Sequence, residues 1–287
     1  MINLKDYIDN YINEGIDESI LQDPEAVLNI SDDDLAEELI TDWIKKNWDA
    51  NSIKNITVRF DGKTRVVDID GSLVHSKKGF VTNGAFVWGN VSGDFIYNVL
   101  NTEAQKVKSF EGLGFPRKVG GQFNLHQFKL VTDLKGCPEE CGSFHIYGFT
   151  KMKSLEGCPT IVNDEFHINS CNSIKELDYL PKRIGGSVFI NYNYNLLSIK
   201  GLSDAVNDVV NGDLYINNNF KLQSLEGCPK FVKGNFSCEK GKVLTSLEGC
   251  PEQVGETFAC KHCGERFKKS EVVSRCQVGG AIDAWVR

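Results

Sequence analysis

No apolar run of membrane-spanning length or signal-peptide form occurs in this chain, so neither a membrane anchor nor export by the standard signal is expected. A basic excess is missing too. The 39 acidic side chains outnumber 32 basic ones, for a formal net charge of -7, and without a uniformly basic footprint nucleic acid is not an expected partner. Walker loop, HExxH pattern and nucleophile elbow are all absent, which removes the motif-borne routes to nucleotide, zinc-protease and serine-hydrolase chemistry. The run Asp32-Asp33-Asp34 lacks the alternating ligands and central glycine of a calcium loop.

Cysteine is not scarce: there are ten. Small secreted scaffolds concentrate cysteine to compensate for a poor core, but 287 residues at 41% hydrophobic content can bury a core without that help. Cys137, Cys158, Cys228 and Cys250 recur at one position, beside a proline. That recurrence reads as a small buried hydrophobe in a reduced compartment, with disulfides along the stack left open.

Charge divides the chain. Residues 1–50 hold 14 acidic and three basic side chains, so the remainder is net positive. Leu4, Ile8 and Ile12, flanked by Tyr7 and Tyr11, predict a short amphipathic helix ended by Gly15. Ser31 predicts the cap of a second, with Asp32, Asp33 and Asp34 at its positive end and Lys45 and Lys46 at the other. Leu35, Leu39 and Trp43 form one apolar line, widened by Ala36, Ile40 and Ile44. Such a pair covers the open first rung of a repeat stack or serves as an acidic docking arm for a basic partner, and Trp43 and Trp48 suit either role.

Beyond residue 65 the chain repeats itself. SLEGCP stands at 154–159, 224–229 and 246–251, with DLKGCP at 133–138 and looser copies at 109–116, 176–181 and 198–203. Each precedes a strand-like group, GQFNL, GSFHI, DEFHI, GSVFI, GDLYI, GNFSC or ETFAC, whose starts fall 21, 22, 22, 26, 22 and 22 residues apart. Recurrence at this period marks a solenoid. Alternation in FHI, VFI and LYI gives a strand rhythm, and Leu155, Leu177, Ile199, Leu225 and Leu247 form a second inward line. Gly, Pro and Asn stand between the lines where a helix would need ten compatible residues. The expected fold is therefore mainly β: a repeat solenoid of about 22-residue rungs, LRR-like, over 51–262. A small acidic helical segment (1–50) precedes it and a C-terminal cap (263–287) closes it. Asn169, Asn191 and Asn217 are placed to bond successive backbones at the turns.

These repeats resemble the leucine-rich-repeat-like proteins encoded by tailed bacteriophages, over roughly residues 65–287 and including the tail KKSEVVSRCQVGGAIDAWV. The L-x-x-L-x-L-x-x-N consensus is met only in part, so the fold is expected nearer a plain β-solenoid than a helix-backed horseshoe. The resemblance implies a phage protein in the cytoplasm of an infected bacterial host, or one associated with the virion.

Function is sought on the outward face. The middle residues of successive strand groups put His145, His167, Phe189 and Tyr215 in one stripe, and Tyr147 belongs to the next column. Mixed aromatic and polar groups on a rigid face suit recognition of a protein partner, host or viral, including a host defence protein. A packing ladder without a ligand explains the same pattern. Other readings are a structural or glycan-binding virion component, and a hydrolase, which needs an acid or nucleophile beside His145 and His167. Catalysis is not the expected function. At the carboxy terminus, Cys260 and Cys263 share C-x2-C spacing, Cys276 lies further on, and Cys238 holds the place of Cys260 one rung before. The four are candidate ligands of a structural zinc, with His262 as a substitute; an apolar cap of reduced thiols accounts for them equally. Ser270 with Glu271 suggests a short capped helix there, and AIDAWV a closing strand.

Overall fold

The computed structural model of the chain describes residues 33–49, 52–75, 86–98 and 106–285. The helix expected over residues 4–12 and the Ser31 cap lie outside the described residues. From residue 65 onward the chain winds as a β-solenoid of stacked rungs, about nine turns in all. Each rung contributes a strand to two parallel columns.

Column one comprises β2 (Arg65–Gly71), β4 (Val87–Val91), the first residues of β6 (Lys118–His126) and β7 (Glu140–Tyr147), β8 (Ile161–Val162) and β10 (Arg183–Ile184). A four-stranded sheet of β12 (Val209–Val210), β14 (Phe231–Val232), β16 (Gln253–Val254) and β18 (Gln277–Val278) continues it. Column two is β3 (Leu73–His75), β5 (Phe95–Asn98), the later residues of β6 and β7, then β9 (Phe166–Asn169), β11 (Val188–Asn191), β13 (Leu214–Tyr215), β15 (Phe236–Ser237), β17 (Phe258–Ala259) and β19 (Ile282–Asp283).

The corner between the columns is narrow because backbones stack directly there. A Cβ on Gly185 would collide with the Asn163 carbonyl oxygen one rung below, and one on Gly255 with that of Lys233. The glycine of SLEGCP has a different reason: Gly157 has φ 88°, in the left-handed region that Cβ-bearing residues disfavour. The single 26-residue spacing also has a cause. Its extra residues form α2 (Leu202–Ala205), entered through Gly201 at φ 89°.

Strand alternation fills the interior. Phe95, Phe123, Phe144 and Phe166 stack with ring centroids 5.6, 6.0 and 5.8 Å apart, and Leu155, Leu177, Ile199, Leu225 and Leu247 are all buried. Burial of each such side chain contributes about 1.5–3 kcal/mol. The repeat cysteines behave as the apolar residues they replace: burial pushes the Cys137, Cys158 and Cys228 thiols well up and Cys250 to about 11. All ten cysteines are free.

Asparagine side chains bind the rungs together. The Asn169 side-chain oxygen accepts from the Asn191 N–H (3.1 Å), that of Asn191 from Asn217 (2.8 Å), and that of Asn217 from Glu239 (2.8 Å). A second ladder runs inside the core. Asn193 and Asn219 are fully buried; Asn193 accepts from the Cys171 N–H (2.9 Å) and donates to the Ile168 carbonyl (2.9 Å), and Asn219 repeats both bonds one rung on. Buried amides satisfied in this way fix the register of the rungs.

Both ends are continuous with the stack. The amino-terminal helix α1 (Asp33–Asn47) buries Ala36, Ile40, Trp43 and Ile44. Trp48 beyond it packs 5.2–5.8 Å from the rings of His75, Trp88, Phe95 and Tyr97. The helix is thus a cover continuous with the core, and the docking-arm role does not fit Trp43 or Trp48. Next comes β1 (Ile53–Phe60), antiparallel to β2. At the other end, residues 263–285 close the stack by adding a further rung to both sheets, β18 and β19, the latter within the expected closing strand. The short helix α3 (Lys269–Val273) is present, but Lys268 rather than Ser270 caps it, its N–H donating to the Glu271 carboxylate (2.7 Å). No helix among the described residues is long and apolar enough to cross a membrane.

Candidate functional site

Column two sends Phe144, Ile146, Phe166, Ile168, Val188 and Ile190 inward, and the residues between them outward. In-register parallel pairing then aligns His145, His167, Phe189 and Tyr215. The rings touch in series. Centroids are 3.8 Å apart for His145–His167, 4.1 Å for His167–Phe189 and 5.3 Å for Phe189–Tyr215. Contrary to expectation, the stripe is not freely exposed. The His145 and His167 side chains are only 18% and 20% accessible, because a flat sheet lets neighbouring rings shield one another.

Glu165 completes the group. It lies two residues before His167, hence on the same face of the strand. Its Oε2 is 3.1 Å from His167 Nε2 and 3.6 Å from His145 Nε2. The histidines therefore do have an acidic partner, which inspection of the FHI groups alone overlooks. On the other side the Gln122 side-chain amide contacts His145 Nδ1. Burial lowers both imidazoles to about 4, with the neighbouring His167 adding to the effect on His145. At neutral pH the rings are uncharged, so His167 meets Glu165 through a hydrogen bond from a neutral N–H rather than an ion pair, and His145 at 3.6 Å is a near neighbour only. Burial first, and the Asp213 carboxylate second, raise the Tyr215 phenol.

More aromatic surface borders this ladder. Tyr147 stands beside His126 (centroids 5.6 Å) and is 44% exposed. In the turn after β11, Tyr192 and Tyr194 are 45% and 40% exposed. Tyr194 stacks on Phe220 (4.7 Å), over which the Lys242 ammonium sits at 4.1 Å. Tyr192, Tyr194 and Phe220 fall in turns and so escape a search confined to strands. Tyr194 and Phe220 stand at the same offset past Asn191 and Asn217, and that recurrence in consecutive rungs is the available signal.

The terminal cysteines gather only in part: Cys238 and Cys263 meet through their thiols, while Cys276 stands apart. Cys263 lies against Cys238, its Sγ 3.2 Å from the Cys238 carbonyl oxygen, and Cys260 points into the core at 0% exposure. Cys276 belongs to the other column, among Cys250 and Cys228. Among the described residues, no three of Cys238, Cys260, Cys263 and Cys276 bring their sulfurs within 4.8 Å of one another. The four-thiolate zinc set fails because Cys276 leads into column one while Cys260 belongs to column two. Comparison of the chain with protein-family models, with curated proteins and with solved structures finds no match in any of the three.

Proposed function

We propose that the chain is a non-enzymatic binding scaffold that docks a protein partner, host or viral, on the outer face of column two and the turn beside it. The observation that carries this reading is the grouping of Tyr147, Tyr192 and Tyr194, each at least 40% exposed, along the border of the half-buried His145–Tyr215 ladder. Tyrosine gives apolar area with a polar tip at little rotamer cost, the composition favoured at recognition surfaces. The asparagine ladders hold the backbone beneath them, which keeps the ordering cost of association low. The phage setting implied by the SLEGCP resemblance suits a partner met in the infected cell.

The test compares three full-length proteins: wild type, Y192A/Y194A and F189A/Y215A. Each is used to capture partners from infected-cell lysate, and the captured protein is then titrated in purified form. Anchor removal is expected to weaken binding by about 1–3 kcal/mol per ring, with thermal unfolding of Y192A/Y194A unchanged. Equal affinity for all three proteins would remove this face from consideration. Retention of a glycan in place of a protein, abolished by the same substitutions, would favour the virion-component reading.

A further inference from the structure

We infer that His145, His167 and Glu165 form a binding site for one divalent first-row transition-metal ion, of the zinc class, on the outer face of column two. One ring nitrogen each of His145 and His167 and a Glu165 carboxylate oxygen all lie within 4.8 Å of one another, and among the described residues they are the only such group of three. Two imidazoles and a carboxylate are a donor set suited to zinc.

The distances fit the ion. Tetrahedral ligands bound at about 2.0–2.1 Å stand roughly 3.3–3.4 Å from one another. The Glu165 oxygen is 3.1 Å from one imidazole nitrogen and 3.6 Å from the other, so the carboxylate already stands from each ring at close to the spacing of bound ligands. The rings themselves must turn. They are now stacked, 24° from parallel, and their lone pairs converge only after rotation about χ2, a broad torsion in histidine. Metal binding therefore separates the His145–His167 stack.

A partner for the outer nitrogen is already present. Ligation through Nε2 places the proton of His145 on Nδ1, which faces the Gln122 side-chain amide. Turning that amide end for end presents its oxygen as acceptor, the outer-sphere contact that metal-bound histidine normally has. The backbone supports this arrangement, because the Glu165 N–H donates to the Ser143 hydroxyl (3.3 Å). Three protein ligands leave the remaining coordination to water or to a side chain of a docked partner. The site stands independently of the docking reading, since metal uptake is measured on the free chain.

Chelator-treated full-length protein is titrated with zinc chloride by calorimetry, in parallel with H145Q/H167Q, E165Q, Q122L and C263S; circular dichroism confirms each fold. Wild type and C263S are expected to bind one ion per chain. H145Q/H167Q should bind none at this site, E165Q at least about tenfold more weakly, and Q122L about tenfold more weakly. Cobalt loading supplies a second readout: the wild-type spectrum should lack thiolate-to-metal charge transfer. Absence of uptake by wild type, unchanged uptake by folded H145Q/H167Q, or loss of uptake in C263S would each overturn the assignment.

Discussion

The two ends of the solenoid reach the same architecture with different interiors. Before residue 130 the core is crowded with rings: Trp43, Trp48, Phe86, Trp88, Phe95, Tyr97, Phe110, Phe123 and Phe128 are all buried. After residue 160 it is mainly Leu, Ile, Val and Cys, crossed by the Asn193–Asn219 ladder. Aromatic packing fills an irregular space and tolerates unequal rung lengths, as where an antiparallel hairpin must be joined to a parallel stack. Hydrogen-bonded amides fix the register of the strands themselves, and the one unequal rung they cross carries its extra residues outside the strands, in α2. Mass fills the front; register orders the back.

The largest expected effect is at the front. Trp48→Ala removes a ring that four others contact and is expected to cost about 3–5 kcal/mol in denaturant unfolding. A loss smaller than that of Phe236→Ala, a buried ring of the back, would break the contrast. Next comes the back: Asn193→Ala leaves the Cys171 N–H and the Ile168 carbonyl without their partner, at about 1–3 kcal/mol for each. Hydrogen exchange should localise the damage to the adjoining rungs, and uniform loosening would argue against a register role. Gly185→Ala forces a Cβ against the Asn163 carbonyl, at about 1–3 kcal/mol, with a lower melting temperature as the readout. Smallest is the pH effect on metal-free protein. His145 and His167 titrate near 4 in the fold, against a reference value of 6.5, so the unfolded chain binds more protons between these values. Their contribution is fully present above pH 6.5 and is lost as pH falls toward 4. H145Q/H167Q should flatten that slope, and an unchanged slope would assign the acid sensitivity elsewhere.

The same contrast governs how much of the molecule is legible in its sequence. The back is legible because SLEGCP and its strands recur, and the inward lines and the Asn169–Asn191–Asn217 ladder follow from that recurrence. The buried Asn193 and Asn219 do not stand out, since asparagine after a turn normally marks solvent, and only the inward direction of the chain there makes it core. Glu165 stands inside the DEFHI group, but it does not recur at that position in the other groups, so a reading by recurrence passes over it. The cysteine set fails for a geometric reason: C-x2-C spacing reports nearness along the chain, whereas Cys276 and Cys260 are held in different columns. At the front, rung lengths vary and aromatic packing carries no period, so the helix cover emerges from the sequence only as one of two roles.

The asparagine ladders have a consequence for how such a chain changes by inheritance. Each bond from a backbone N–H to an asparagine oxygen joins residues 22 positions apart, or 26 where α2 intervenes, and the return bonds of Asn193 and Asn219 span 25 and 29. Duplicating 164–185 splices one set of links onto an equivalent set and leaves each side-chain amide a partner. Insertion of a single residue into a column-two strand reverses every side chain beyond it in that strand and unpairs the ladder on both sides. Recombination can therefore lengthen this molecule in whole turns at little cost, and extra residues are accommodated between strands, as at α2, but not within a column-two strand.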